Sequence, residues 1–131
     1  MAISLTDPSA EVLEFLTERH LATLSTHRTD GTIHTAPVGF TYDPDRRIAR
    51  IITSGSSYKV GNIEAHPGSR VSLCQVDRGR WLTLEGPAEV TSSPDRVAEA
   101  VERYSHRYRQ PSEREDRVAI EINVDRMMGR C

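Results

Sequence analysis

The chain has 131 residues, of which 27% are charged, and a formal net charge of −2 at pH 7. A chain of this length is expected to form a single domain, residues 1–131, around one core. The lack of a basic excess, together with only one Trp, four Tyr and two Phe, argues against a nucleic-acid-binding protein.

Membrane insertion and metal binding are also not expected. No apolar run approaches the roughly 20 residues of a membrane-spanning helix. Residues 1–11 lack the basic and then apolar order of a signal peptide, so we expect a cytoplasmic protein. No Cys/His spacing is typical of a metal site. Cys74 lies in a strand-like run, and Cys131 is expected to be a free thiol.

The N-terminal third predicts a helix followed by three strands. Asp7 is the predicted cap of a helix over residues 8–19, which begins with a proline whose missing N–H costs nothing there. Residues 20–26 and 32–42 form the first two predicted strands. A turn at residues 43–47 leads into the third, so three strands are expected in antiparallel succession.

The stretch 48–65, IARIITSGSSYKVGNIEA, joins a strand to a short helix and contains the only lysine, Lys59, against sixteen arginines. Ser56 or Ser57 is the predicted N-cap. Unpaired N–H groups of the first helical turn would lie beside hydroxyls and an ammonium, which suits a phosphate. Asn62 falls on the same helical face as Lys59. The alternative is an ordinary capped surface helix with an exposed lysine.

The run APVGF at residues 36–40 is unusual for a strand. Pro37 removes a ladder donor, and Gly39 removes a side chain from the pleat. These residues favour either an edge or bulged strand, or the close approach of a flat ring to the backbone. Both interpretations stay open, and neither identifies a ring.

The second half predicts two strands, a helix and a final strand. Residues 70–76 and 81–90 alternate apolar and polar side chains, and Gly86-Pro87 indicates a bend. A helix capped by Ser93 follows. Residues 118–124 alternate strictly and form the sixth strand. Six antiparallel strands with about three short helices predict a mainly β, α+β fold, most economically a closed or split antiparallel barrel.

This order of elements resembles the pyridoxamine 5'-phosphate oxidase-like split β-barrel family, which binds FMN. Four segments are similar to its flavin/deazaflavin oxidoreductase B branch, and within that branch to the actinobacterial coenzyme F420-dependent biliverdin reductases. These segments are ERHLATLST (18–26), PVGFTYD (37–43), IARIITSGSSYK (48–59) and RWLTLEG (80–86). The resemblance covers nearly the whole chain.

The resemblance implies a homodimer with two clefts at the subunit interface, each holding a deazaflavin. The phosphate would meet Ser57, Lys59 and Asn62, and the arginine excess would suit a cofactor tail of several glutamates. Gln75 or Trp81, from the same chain or from the partner chain, would close the cleft. The ring would lie along two strands, at the positions Pro37, Val38, Gly39, Phe40, Ile52, Thr53 and Ser54.

The implied activity is hydride transfer from reduced coenzyme F420 to a conjugated acceptor, with biliverdin reduced to bilirubin. Arg50 and Arg80 would meet the acceptor's propionates. No carboxylate or histidine pair is placed to supply the accompanying proton, so solvent or a water held by a nearby arginine is the expected donor. His34 is expected to be an exposed strand residue. No residue of the chain is assigned a catalytic role.

Three alternatives remain open at this point. FMN could replace the deazaflavin in an oxidase or reductase, because a phosphate site alone does not distinguish the two cofactors. Another conjugated molecule could replace biliverdin. The chain could also carry F420 or a tetrapyrrole with little turnover, since a fold does not prove an activity.

Overall fold

The structure, a computed structural model, describes residues 1–131 and contains three helices and eight strands. The helices are α1 (Ala10–Phe15), α2 (Tyr58–Ala65) and α3 (Pro94–Arg107). The strands are β1 (Ala22–His27), β2 (Ile33–Val38), β3 (Thr41–Asp43), β4 (Ile48–Ser54), β5 (Arg70–Asp77), β6 (Arg80–Thr91), β7 (Arg117–Asn123) and β8 (Arg126–Arg130). The mainly β, α+β fold class is confirmed, with eight strands in place of the expected six.

All strand pairs are antiparallel, in the order β2-β1-β5-β6-β7-β4-β3, with β8 pairing with β6. β2 and β3 stand at the two ends of this order and are not hydrogen-bonded to each other. Because no hydrogen-bonded ladder joins these two strands, the barrel is split rather than closed. They are connected only through the chain itself, by residues 39–40. Alternate strand residues and the inner faces of α1 and α2 share one core of 20 buried side chains.

The single strand predicted over residues 32–42 is wrong, because it divides into β2 and β3. β2 pairs with β1, whereas β3 pairs with β4, so the three expected strands do not pair in succession. The division falls at Gly39 and Phe40, where the Phe40 side chain is completely buried in the core. The chain crosses there from one end of the sheet to the other.

β8 is absent from the predicted elements, and the helix predicted over residues 8–19 is wrong at both ends, because α1 spans Ala10–Phe15. The residues of β8, RMMGR, show neither an apolar alternation nor a run of β-branched residues. α1 begins at Ala10 with Ser9 as its N-cap, because Ser9 Oγ accepts the Val12 N–H at 3.2 Å. The Asp7 amide instead donates to Ser4 Oγ at 3.0 Å, which ties Asp7 into the preceding turn.

β6 changes partner at the position where Gly86-Pro87 predicts a bend. Residues 80–87 pair with β5, and the last four residues of the strand pair with β7. A Cβ at Gly86 would lie 1.9 Å from the Asn123 carbonyl oxygen, so only glycine permits this crossing. None of the three helices is long and apolar enough to cross a membrane.

Candidate functional site

A cleft of about 290 Å³ opens between the C-terminal ends of β2 and β4, the start of α2, and the segment that connects α3 to β7. We call it the cationic cleft because it is lined by one lysine, two arginines and no carboxylate. Its lining residues are Pro37, Val38, Gly39, Ile52, Thr53, Ser54, Lys59, Tyr104, Pro111, Arg114 and Arg117. Seven of the twelve cofactor-binding positions expected from the sequence thus lie together.

The ladder between β4 and β7 sets the floor and one rim of the cleft. Ser54, the last residue of β4, pairs with Arg117, the first residue of β7. The Gly55 amide donates to the Asp116 carbonyl oxygen at 2.7 Å, and Ser54 Oγ donates to the Asp116 carboxylate. These bonds hold the α3–β7 connection against the turn that precedes α2.

Lys59 lies in the first turn of α2 and projects into the cleft without an acidic partner. Burial lowers the pKa of its ammonium, and no carboxylate opposes that shift. A partly desolvated cation without a counter-ion in its own chain is a binding position for an anion.

The N-terminus of α2 adds uncharged donors beside Lys59. Ser57 is the N-cap in an extended conformation, but its hydroxyl forms no capping bond. Ser57 Oγ is buried and has no hydrogen-bond partner. The first N–H groups of a helix also lack partners within it. Free N–H groups, an unpartnered hydroxyl and an ammonium in one turn suit a phosphate or another anion.

The positions predicted from the sequence do not include four residues that also line the cleft: Tyr104, Pro111, Arg114 and Arg117. The α3–β7 connection, QPSERED, alternates charges and is typical of a solvated loop. Its fold brings Arg114 and Arg117 to the cleft, and Arg117 Nη2 donates to the Ser112 carbonyl oxygen at 2.6 Å. Tyr104 lies on the apolar stripe of α3, a signal for packing that did not indicate a ligand site.

The other expected cofactor positions do not line the cleft. Asn62 Nδ2 donates to Thr26 Oγ1 at 3.0 Å, which ties α2 to β1. Phe40 and Gln75 are completely buried, and Gln75 Nε2 donates to the Phe15 carbonyl oxygen at 2.9 Å. Trp81 lies near the start of β6, opposite Val76 and Arg130.

The two arginines expected to meet a propionate are both ion-paired within the chain. Arg50 is 3% exposed, and its Nη1 lies 3.3 Å from Asp43 Oδ2. Arg80 contacts Glu18 at 2.9 Å and also contacts Asp77, and the Arg80 hydrogen bond lowers the pKa of Glu18 to about 2. His34 lies half-buried on β2, with its ring 6.2 Å from the Tyr58 ring.

The lining residues can bind and orient an anionic molecule, but they offer little for acid–base catalysis. No Asp, Glu, His or Cys lines the cleft. Apart from the three cations, its side chains are apolar or hydroxylic. This composition is expected where a bound cofactor carries the reactivity and the protein supplies binding and orientation.

A split antiparallel barrel with a cationic cleft at a strand–helix junction is typical of a class of cofactor-binding barrels. The chain belongs to the pyridoxamine 5'-phosphate oxidase family, because the model of that family matches residues 8–131. The family resemblance drawn from the sequence is confirmed.

Among curated proteins, the chain is similar to an F420H(2)-dependent biliverdin reductase from Mycobacterium tuberculosis (strain CDC 1551 / Oshkosh). The two are 46% identical over 129 residues, which cover 98% of this chain and 93% of the relative. A solved F420 reductase is 25% identical with a TM-score of 0.72, over 92% of this chain and 98% of that one. A conserved hypothetical protein from Mycobacterium tuberculosis shares the fold, with a TM-score of 0.77 and 23% identity over 92% of this chain and 82% of that one.

Proposed function

We propose that this chain is a coenzyme F420-dependent oxidoreductase that reduces biliverdin to bilirubin. The observation that carries the proposal is the cationic cleft, whose lining includes Lys59, Arg114 and Arg117 but no Asp or Glu. The relative that is 46% identical over nearly the full length and is named for this activity supports the same cofactor and acceptor.

The residues of the cleft fit such a cofactor. The unpartnered Ser57 hydroxyl, Lys59 and the first N–H groups of α2 would hold its phosphate. Arg114 and Arg117 would meet the carboxylates of its glutamate tail. The ends of β2 and β4 would flank its ring, with Tyr104 at the side.

When bound, the reduced deazaflavin would supply the hydride for the central bridge carbon of biliverdin, and solvent would supply the accompanying proton. The chain itself binds the anionic end at Lys59, orients the ring along the strand ends, and excludes water from that face. Since the cleft has no Asp, Glu, His or Cys, none of its side chains is assigned as a proton donor. The propionates of the acceptor would remain outside, because Arg50 and Arg80 are already ion-paired.

A parallel titration with F420 and FMN tests this proposal. Trp81 does not line the cleft of its own chain, so binding should be followed by the polarisation of cofactor fluorescence rather than by tryptophan emission. We expect F420 to bind more tightly than FMN, and biliverdin added to the complex with reduced F420 to yield bilirubin absorbance. Tighter FMN binding would move the chain to the FMN-dependent side of the family. F420 binding without bilirubin formation would contradict the proposed acceptor and support a carrier role.

We also propose that the chain is a homodimer whose interface lies on the outer face of β2, β1, β5, β6 and β8. In a chain with 27% charged residues, the middle of this face carries no charge. Cross-strand pairing aligns its middle row as Pro37–Thr23–Cys74–Thr83–Met128. The neighbouring rows, Thr35–Ser25–Ser72–Glu85–Arg126 and Val76–Trp81–Arg130, carry charge only at their β6 and β8 ends.

This face adjoins the cleft, because Pro37 belongs to both. The cleft volume of about 290 Å³ is at the low end for a pocket that encloses a whole cofactor. A second copy on the uncharged face would therefore complete the enclosure. Charge depletion at the centre of a surface is itself typical of protein interfaces.

Sedimentation of a Thr83→Arg variant tests the dimer. We expect the unsubstituted chain to sediment as a dimer and the variant as a monomer with weaker F420 binding, since a buried unpaired guanidinium is costly. Ser92→Arg is the matched control, because Ser92 is exposed on the turn before α3. A monomeric parent chain that binds F420 would contradict the proposed dimer and leave the proposed reaction intact.

A further inference from the structure

The end of α3 holds both backbone polar groups of Phe40, the residue at which β2 passes into β3. Arg107 Nη1 donates to the Phe40 carbonyl oxygen at 2.7 Å. The Phe40 amide donates to Tyr108 Oη at 3.2 Å, and the Tyr108 hydroxyl donates to the His20 carbonyl oxygen at 2.6 Å. The crossover has no ladder partner, so these side-chain bonds replace the hydrogen bonds that a strand would have.

The other two nitrogens of the Arg107 guanidinium also donate hydrogen bonds, which hold the side chain in this position. Its Nε donates to the Glu18 carbonyl oxygen at 2.8 Å, and its Nη2 donates to Gln75 Oε1 at 2.6 Å. Every acceptor is uncharged, and burial lowers the pKa of the guanidinium. The guanidinium also lies over the Phe40 ring, 4.8 Å from its centroid. Arg107 therefore ties α3 to three separate parts of the barrel.

The tyrosines of α3 complete the support from the side. A Cβ at Gly39 would lie 3.0 Å from Tyr104 Cε2 and 3.3 Å from two carbons of the Tyr108 ring. The rings thus pack against the Gly39 backbone at a distance that favours glycine. Gly39 and its neighbour Val38 line the cationic cleft, so the same helix that fixes the crossover also fixes one wall of the cleft.

We propose that Arg107 and Tyr108 are positioning residues for the cleft wall at Val38 and Gly39. This inference rests on the proposed function, since the wall matters for hydride transfer only if a cofactor ring lies along it. Neither residue is a catalytic group, and neither is expected to contact the phosphate at Lys59, which lies on α2. Substitution of either residue should therefore impair the alignment of the cofactor ring more than the binding of the cofactor phosphate.

The test compares Tyr108→Phe and Arg107→Lys with Ile122→Val, a truncation of a fully buried core residue outside the cleft. Tyr108→Phe keeps the ring against Gly39 but removes both hydroxyl bonds. Arg107→Lys keeps the charge but not the fork that reaches three acceptors. Thermal unfolding of all three variants provides the stability scale on which the other measurements are compared.

Amide hydrogen exchange of the cofactor-free protein is the first readout. We expect the Phe40 amide to exchange about tenfold faster in Tyr108→Phe, with no such change in Ile122→Val. The second readout is the single-turnover rate of biliverdin reduction, together with the Kd for F420. We expect the rate to fall about tenfold in both positioning variants, while the Kd changes less than about threefold.

Two other results have distinct meanings. A rate of biliverdin reduction in Tyr108→Phe and Arg107→Lys equal to that of the parent would overturn the positioning role, and so would an equal fall in Ile122→Val at the same loss of stability. A parent chain that binds no F420 would overturn the proposed function. In that case, an unchanged exchange rate of the Phe40 amide in Tyr108→Phe would separately overturn the inference that Tyr108 supports the cleft wall at Val38 and Gly39.

Discussion

Two regions of the molecule use basic side chains in opposite ways. On the flank where α3 packs over β3 and β4, Arg50 and Arg103 both contact the buried carboxylate of Asp43, at 3.3 and 3.2 Å. Glu99 contacts the same two arginines at 3.6 and 3.1 Å. The cationic cleft has a comparable number of positive charges but no carboxylate among its lining residues.

The difference separates arginines that stabilise the fold from those that bind a ligand. A buried guanidinium with a carboxylate partner is neutralised within the chain and is not available to an outside anion. A desolvated cation without such a partner gains a counter-ion only when a ligand binds. Among sixteen arginines, pairing therefore distinguishes the two kinds better than exposure or position in the sequence.

The largest expected effect comes from removing the shared carboxylate of the paired flank. Burial would raise the pKa of Asp43, but the Arg46 amide and the guanidinium groups of Arg103 and Arg50 hold it below its ordinary value. Asp43→Asn leaves Arg50, which is 3% exposed, without this partner. We expect the free energy of unfolding to fall by about 3 kcal/mol in urea denaturation at neutral pH.

The contribution of the Asp43 carboxylate to the free energy of unfolding should also depend on pH. A group whose pKa is lower in the folded state stabilises the protein above its unfolded pKa, and the contribution is lost as the pH falls through its folded pKa. The difference between the parent chain and Asp43→Asn should therefore shrink in acid. Glu89→Gln, which removes an exposed partner of Arg96, serves as control and should cost less than about 1 kcal/mol. Equal losses in the two variants would contradict the distinction between buried and exposed pairs.

Lys59→Ala should weaken cofactor binding and leave stability unchanged, in contrast to Asp43→Asn. Cofactor binding is expected to weaken by about 1.5–3 kcal/mol, because a charge-assisted hydrogen bond to phosphate is lost. The free energy of unfolding should barely change, since Lys59 has no carboxylate partner in the folded chain. Arg70→Ala is the matched control, because it removes a cation that Asp125 already pairs at 2.6 Å outside the cleft. Unchanged F420 affinity in Lys59→Ala would rule out Lys59 as the phosphate ligand.

A smaller effect should separate the two candidate cofactors. FMN ends at its phosphate, whereas F420 continues into a tail of glutamates, so Arg114 beyond Lys59 should matter only for F420. We expect Arg114→Ala to weaken F420 binding by about 0.5–1 kcal/mol, as for an exposed ion pair, and to leave FMN binding unchanged. The difference in F420 affinity between the parent chain and Arg114→Ala should become smaller as salt is added. An equal loss for both cofactors in parallel titrations would place Arg114 at the phosphate instead.

The sequence was sufficient for those parts of the cleft that lie close together along the chain. The end of β4, the turn and the start of α2 form one continuous stretch, so small residues and a lysine could be assigned to one junction from local preferences. The proline and glycine of residues 36–40 likewise indicated a place where a ladder is interrupted. Alternation of apolar and polar residues also predicted β5 and β6, whose burial alternates, whereas the sequence RMMGR of β8 shows no such signal.

What could not be predicted depends on side chains that meet only after folding. Asn62 has the spacing to share a face with Lys59, but Thr26, far away in sequence, engages its amide. Gln75 is polar on a strand, yet Arg107 and the Phe15 carbonyl oxygen make it a buried link. Arg114 comes to the cleft because hydrogen bonds from Ser54 and Gly55 to Asp116 hold its loop against the end of β4. The local pattern of residues along the chain does not indicate which distant side chains will pair. Competition among polar groups for hydrogen bonds in the folded protein decides these pairings.

The pH dependence of cofactor affinity should be the most gradual effect and distinguishes the lysine from the arginines of the same cleft. Burial lowers the pKa of the Lys59 ammonium, so the free protein loses this charge at a lower pH than an exposed lysine would. Since binding to phosphate requires the charged form, F420 affinity should be constant near neutral pH and fall as the pH rises. It reaches about half its neutral value where the pH equals the pKa of Lys59 in the free protein. In Lys59→Arg the guanidinium stays charged, and the Kd should remain constant over the same range. A matching decline in Lys59→Arg would assign the titration to another group and remove Lys59 from the comparison.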